Sequence, residues 1–92
     1  MYAKRVDENQ SDIIKAFKAL GCSVVDLSRV GRGCPDLAVG INGITVFVEI
    51  KRDAKAKYTE HQVEWMAAWR GGTVARIDSV DAAIRLVNTC NK

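Results

Sequence analysis

The chain's only proline is followed directly by an acid, Pro35-Asp36, and a second acid and a lysine come later as Glu49-Ile50-Lys51. Glu49 and Lys51 flank Ile50, so on an extended segment both side chains leave the same face. Their host is the longest apolar run, Ile44 to Ile50, broken only by Thr45 and Glu49. Charges on such a strand are costly to bury unless they bind something. Two carboxylates with a lysine suit a divalent cation and a phosphodiester. Oxygen-only ligands favour Mg²⁺ or Mn²⁺, which keep waters and take substrate phosphate directly. Such a cation eases deprotonation of water and offsets charge on phosphate oxygens. Lys51 near the attacked phosphorus would stabilise the developing negative charge. The same residues also have a plainer reading, with Asp36 in a turn and Glu49 and Lys51 as a solvent-facing pair. Burial separates the two.

Positioning these groups requires strands joined by a tight turn. Asn42-Gly43 supplies it, because both central residues of a type I′ turn need positive φ. It separates a strand over Asp36 to Ile41 from one over Ile44 to Lys51. The second puts Val46, Val48 and Ile50 on one face and Phe47, Glu49 and Lys51 on the other. Before them, Ile13, Ile14, Phe17 and Leu20 define a helix starting at Asp7 or Asn9 and stopping at Gly21. Ser23 to Ser28 reads as a short strand, and Val30 to Cys34 as a glycine-containing loop. Thr59-Glu60-His61-Gln62 matches a capping box, which opens a helix running to Arg70. Gly71-Gly72 ends it. Thr73 to Ile77 is a fourth strand, and Val80, Ala83, Ile84 and Val87 define a last helix capped by Asp78 or Ser79.

The order is α-β-β-β-α-β-α over a single domain, residues 1–92. The hairpin makes the second and third strands antiparallel, and the crossover helix favours a parallel third and fourth. The fold class is therefore α/β, a mixed four-stranded sheet flanked by helices. On the helix after the capping box, Gln62, Val63, Trp65, Met66, Ala67 and Trp69 cover more than the roughly 100° stripe of a surface helix. One face meets the sheet, and the rest needs the last helix or a second subunit.

The net charge of +3 matters less than its distribution. Lys51, Arg52, Lys55 and Lys57 crowd together, and Arg29 and Arg32 precede Pro35. Flanking the acids on both sides, they suit a polyanion track. Three scattered cysteines and one histidine offer no zinc spacing and fit reduced thiols in a cytoplasmic protein. No apolar segment is long enough for a secretory leader or a membrane span.

The stretches Gly33-Cys34-Pro35-Asp36-Leu37, Val46-Phe47-Val48-Glu49-Ile50-Lys51 and Thr59-Glu60-His61-Gln62 with Trp65 carry a specific resemblance. The chain resembles the PD-(D/E)xK nuclease superfamily, with its α-β-β-β-α-β core. More narrowly it is similar to the compact stand-alone VRR-NUC domains of phages and bacteria, themselves similar to Holliday junction resolvases. The resemblance implies Asp36 and Glu49 as metal ligands, the Ile50 carbonyl as a further ligand, and Lys51 as the catalytic lysine. It also implies a helix glutamine at Gln62, which as a capping-box residue has a structural role as well. Where the family commonly has a glutamate on the first helix, counting back from Gly21 gives Gln10. Its carbonyl oxygen suits a metal-bound water. Glu8 would take that place only if the helix register differs.

The function implied is a Mg²⁺- or Mn²⁺-dependent endonuclease acting on branched DNA, four-way junctions in particular, without an organic cofactor. That chemistry belongs to DNA repair or recombination in a bacterial host, the chain being phage- or prophage-encoded. A homodimer with two sites would cut opposed strands and cover the wide apolar arc. Arg29, Arg32, Arg52, Lys55 and Lys57 would hold phosphates without reading bases. The alternative is a catalytically weak module that binds branched DNA on the same fold.

Overall fold

The hairpin at Asn42-Gly43 is the hinge of the architecture, with φ of 49° and 81° at its two central residues. The computed structural model describes residues 9–91. Glu8 lies outside the described residues. The turn joins β2 (Leu37–Ile41) to β3 (Ile44–Ile50). They pair antiparallel from Ile41 opposite Ile44 to Leu37 opposite Val48. β1 (Ser23–Asp26) adds antiparallel to β2, and β4 (Val74–Ile77) adds parallel to β3. The sheet order is β1-β2-β3-β4. The mixed sheet expected from the sequence is therefore present.

α1 (Gln10–Ala19) and α3 (Val80–Cys90) pack together on one face of that sheet. Ile13, Phe17, Ala83 and Val87 meet Leu37, Val39, Val48, Ile50 and Ile77 there, all buried. Cys22 joins this core. Burial pushes its thiol above the ordinary cysteine range, and the neighbouring Cys90 adds to the effect. Ser79 caps α3, its side chain accepting the Ala82 N–H. The other face carries Phe47, Glu49 and Lys51 and is covered by α2 (Glu60–Ala68). Among the described residues no helix is long and apolar enough to cross a membrane.

Several boundaries fall a residue or two inside the spans read from the sequence, and the ends of β1 and α2 have a local reason. β1 stops at Asp26, whose Oδ1 accepts both the Ser28 N–H and its hydroxyl and bends the chain. β2 starts at Leu37 rather than Asp36. α2 ends at Ala68, where Trp69 turns extended with ψ of 126°. Its indole folds back over Gly71, and Nε1 donates to the Gly72 carbonyl at 3.1 Å.

The wide apolar arc of α2 is only partly used. Trp65 and Trp69 stack on each other and meet Phe47 edge-on, with centroid separations of 5.0, 5.7 and 4.9 Å. α3 packs against α1 and β4 instead. No α2 residue is fully buried, and Val63 stays 53 % exposed.

Candidate active site

Pro35 is fully buried and leads the chain into the start of β2, an inner strand, at Asp36. Leu27 N–H donates to the Asp36 carbonyl at 2.7 Å, which holds the backbone there. The Asp36 side chain then does what a strand carbonyl would otherwise do. Its Oδ2 accepts the Ile50 N–H at 2.8 Å, at the end of the β2–β3 ladder. This fixes the carboxylate beside Glu49-Ile50-Lys51. Among the described residues no donor meets its second oxygen.

Glu49 and Lys51 are 4 % and 7 % exposed, so the reading as a solvent-facing pair is overturned. Buried ions of this kind need partners. Gln62 provides them from α2. Its Oε1 accepts from Lys51 Nζ at 2.6 Å, and its Nε2 donates to Glu49 Oε2 at 2.8 Å. An ammonium only donates and a carboxylate only accepts, so the amide has one possible orientation. Lys51 Nζ lies 4.0 Å from Glu49 Oε2, and the amide spans the pair.

The capping box positions that amide. Thr59 Oγ1 accepts the Gln62 N–H at 3.2 Å, and Gln62 Oε1 accepts the Thr59 N–H at 2.9 Å. One oxygen thus caps the helix and accepts from the lysine.

The fourth wall is the loop before Pro35. Gly31, Arg32 and Gly33 all have positive φ, at 78°, 55° and 82°. A Cβ at Gly33 would collide with the His61 carbonyl, so the loop lies directly against the first turn of α2. Gly31, Arg32, Gly33, Cys34, Asp36, Glu49, Lys51, Thr59, His61 and Gln62 enclose an open cleft of about 330 Å³.

Asp36, Glu49, Lys51 and Gln62, separated in sequence, therefore line one cleft. Ile50 sits between them with its side chain in the core. Arg32 reaches the cleft, whereas Arg29, Arg52, Lys55 and Lys57 are exposed outside its lining. Gln10 is 4 % exposed in the first turn of α1 and is not among the lining residues.

Other contributors were not read from the sequence. Asn9, a possible helix cap, makes no side-chain cap. Its Nδ2 instead donates to the carbonyls of Lys51 and Asp78, at 3.1 and 3.0 Å, and clips α1 to the ends of two strands. Arg76 stands opposite Glu49 in the β3–β4 register, with its guanidinium over Tyr58. Neither residue carries a local pattern that marks it.

No family model matches the chain, and no curated protein matches it. Among solved structures, a chain described as a VRR_NUC domain is 34 % identical, with a TM-score of 0.65, over 87 % of this chain and 95 % of that one. This chain belongs to the VRR-NUC family. It is thus a nuclease domain of the PD-(D/E)xK type. In this VRR-NUC domain the motif residues lie just before β2, at the end of β3 and just beyond it, and in the capping box of α2, and the cleft brings them together.

The fold class implies a divalent metal, and the residues present fit one. Two carboxylates line the cleft, and Asp36 keeps an oxygen that no described residue uses. Among the described residues no group of three or more His, Cys, Asp or Glu side chains has a metal-binding arrangement.

Proposed function

We propose that this domain is a Mg²⁺- or Mn²⁺-dependent endonuclease for branched DNA, with four-way junctions as its preferred substrate, working as a homodimer. The observation that carries the reading is the burial of Glu49 and Lys51 around one glutamine in a cleft that Asp36 also lines. Asp36, Glu49 and the Ile50 carbonyl would hold the metal, with Gln10 as a further candidate. The metal would supply an activated water and charge neutralisation at the phosphate. The chain's own residues do the rest. Lys51 places a positive charge where negative charge grows on the phosphate oxygens. Gln62 holds that ammonium and keeps Glu49 oriented.

The homodimer is supported by the uncovered apolar surface. The strand register aligns Val25, Ala38 and Phe47 in one row on the α2 side of the sheet. That row continues to Trp69, itself 39 % exposed, and Val25 is 57 % exposed. Contiguous apolar surface on a small domain favours a partner.

The test is cleavage of a labelled four-way junction beside linear duplex and single strand, with Mg²⁺, Mn²⁺ or EDTA. Metal-dependent cutting of the junction, lost in Glu49→Ala, is the expected result. A junction that is bound but uncut with either metal would establish the catalytically weak binding module instead. Sedimentation at the same protein concentrations tests the dimer.

Arg32 separates binding from folding. It is exposed at the cleft in a left-handed conformation that costs a non-glycine residue roughly 1 kcal/mol or more. Arg32→Gly is therefore expected to keep or raise the thermal midpoint. It should also weaken DNA binding and reduce the salt dependence by about one phosphate contact. A lower midpoint with unchanged binding would mean that the side chain serves the fold.

A further inference from the structure

Lys51 has a long flexible stem, and a hydrogen bond to one amide oxygen restrains only one of its three N–H directions. A second restraint is present. The Lys51 ammonium lies over the Tyr58 ring, 5.3 Å from its centroid. The Arg76 guanidinium lies over the same ring at 5.5 Å. Two cations sharing one neighbourhood repel, and the negative face of an aromatic ring offsets that repulsion. Each cation is also tethered elsewhere, Lys51 to Gln62 and Arg76 Nη2 to the Asp53 carbonyl at 2.8 Å. Asp53 in turn caps the turn at Lys55 and Ala56 through its Oδ1. Tyr58 therefore links the lysine to β4 and to the basic loop.

We infer that Tyr58 is a positioning residue for Lys51, holding the ammonium at the cleft through the face of its ring. Tyr58 is half-buried and is not among the side chains lining the cleft, which separates this role from substrate contact. Its hydroxyl has no hydrogen bond among the described residues, so the ring alone carries the function. The inference rests on the proposed function for its catalytic consequence. The restraint on Lys51 is measurable without any catalysis.

The experiment compares wild type, Tyr58→Phe and Tyr58→Leu in two readouts. One is kcat and KM for junction cleavage. The other is the rate at which acetic anhydride acetylates Lys51, read by mass spectrometry of the folded protein. Tyr58→Leu should lower kcat by about 10- to 100-fold, the range that a misplaced catalytic group costs, with KM little changed. It should also speed acetylation of Lys51. Tyr58→Phe should match wild type in both. If the leucine variant does not fold, fluorinated phenylalanines at position 58 keep the ring's shape while weakening its negative face. Acetylation of Lys51 should then rise with fluorination. A raised KM with intact kcat would make Tyr58 a DNA contact and overturn the inference, as would unchanged acetylation in every variant. If the wild type cuts no DNA, the nuclease reading fails, and the acetylation rates alone decide the role of Tyr58.

Discussion

Lys51→Ala is expected to lower junction cleavage by at least roughly 10²- to 10³-fold, the usual loss when a group stabilising transition-state charge is removed. Junction binding should remain close to wild type. Lys51 is 7 % exposed and is held inside the cleft by Gln62, so little of it meets the outer surface that would grip DNA. The fold should survive. After truncation Gln62 Oε1 still accepts the Thr59 N–H, and Gln62 Nε2 still donates to Glu49. Removing the ammonium leaves the Glu49 carboxylate with one fewer compensating charge, a loss the open cleft can hydrate. Single-turnover cleavage and mobility shift on the same junction give the comparison. Equal losses in both would place Lys51 in binding and remove it from the chemistry.

The second large effect is structural and reaches the site through the loop before Pro35. Gly33→Ala is expected to destabilise the domain by about 2 kcal/mol or more, because two penalties fall on one atom. The residue has φ of 82°, and its new Cβ would strike the His61 carbonyl. Relief requires the loop to move off the first turn of α2, which carries Arg32 and Asp36 away from Gln62. Cleavage should therefore fall along with stability. Gly31→Ala is the control. Gly31 has φ of 78°, but a Cβ there meets nothing within 4 Å, so only the conformational cost of roughly 1 kcal/mol applies. Urea unfolding of the two variants measures the difference. Equal costs would mean that the loop does not rest against α2.

How readily each feature could be read depended on whether its cause was local. Asn42-Gly43 announces its hairpin because the steric demand for positive φ is met by those two residues alone. Thr59 and Gln62 announce a helix start because both partners of the capping box lie within one turn. The acids and lysine were legible because their spacing, set on an apolar strand, puts Glu49 and Lys51 on one face. Arg29, Arg32, Arg52, Lys55 and Lys57 were grouped by proximity in sequence, which carries no information about which cation faces the cleft. Only Arg32 of that set lines it.

The sequence by itself determined the order of elements, the antiparallel and parallel pairings, the shared face of Glu49 and Lys51 and the capping-box part of Gln62. Each follows from short-range sterics, side-chain periodicity or hydrogen bonds between near neighbours. Tertiary structure alone decided that Glu49 and Lys51 are buried rather than solvent-facing, because burial depends on α2 folding over their face of the sheet. It also decided that Asp36 ends the ladder at Ile50, that Asn9 ties α1 to two strand ends, and that Tyr58 sits beneath Lys51 and Arg76. Those contacts join groups far apart along the chain. Their energies depend on three-dimensional proximity that no local pattern records.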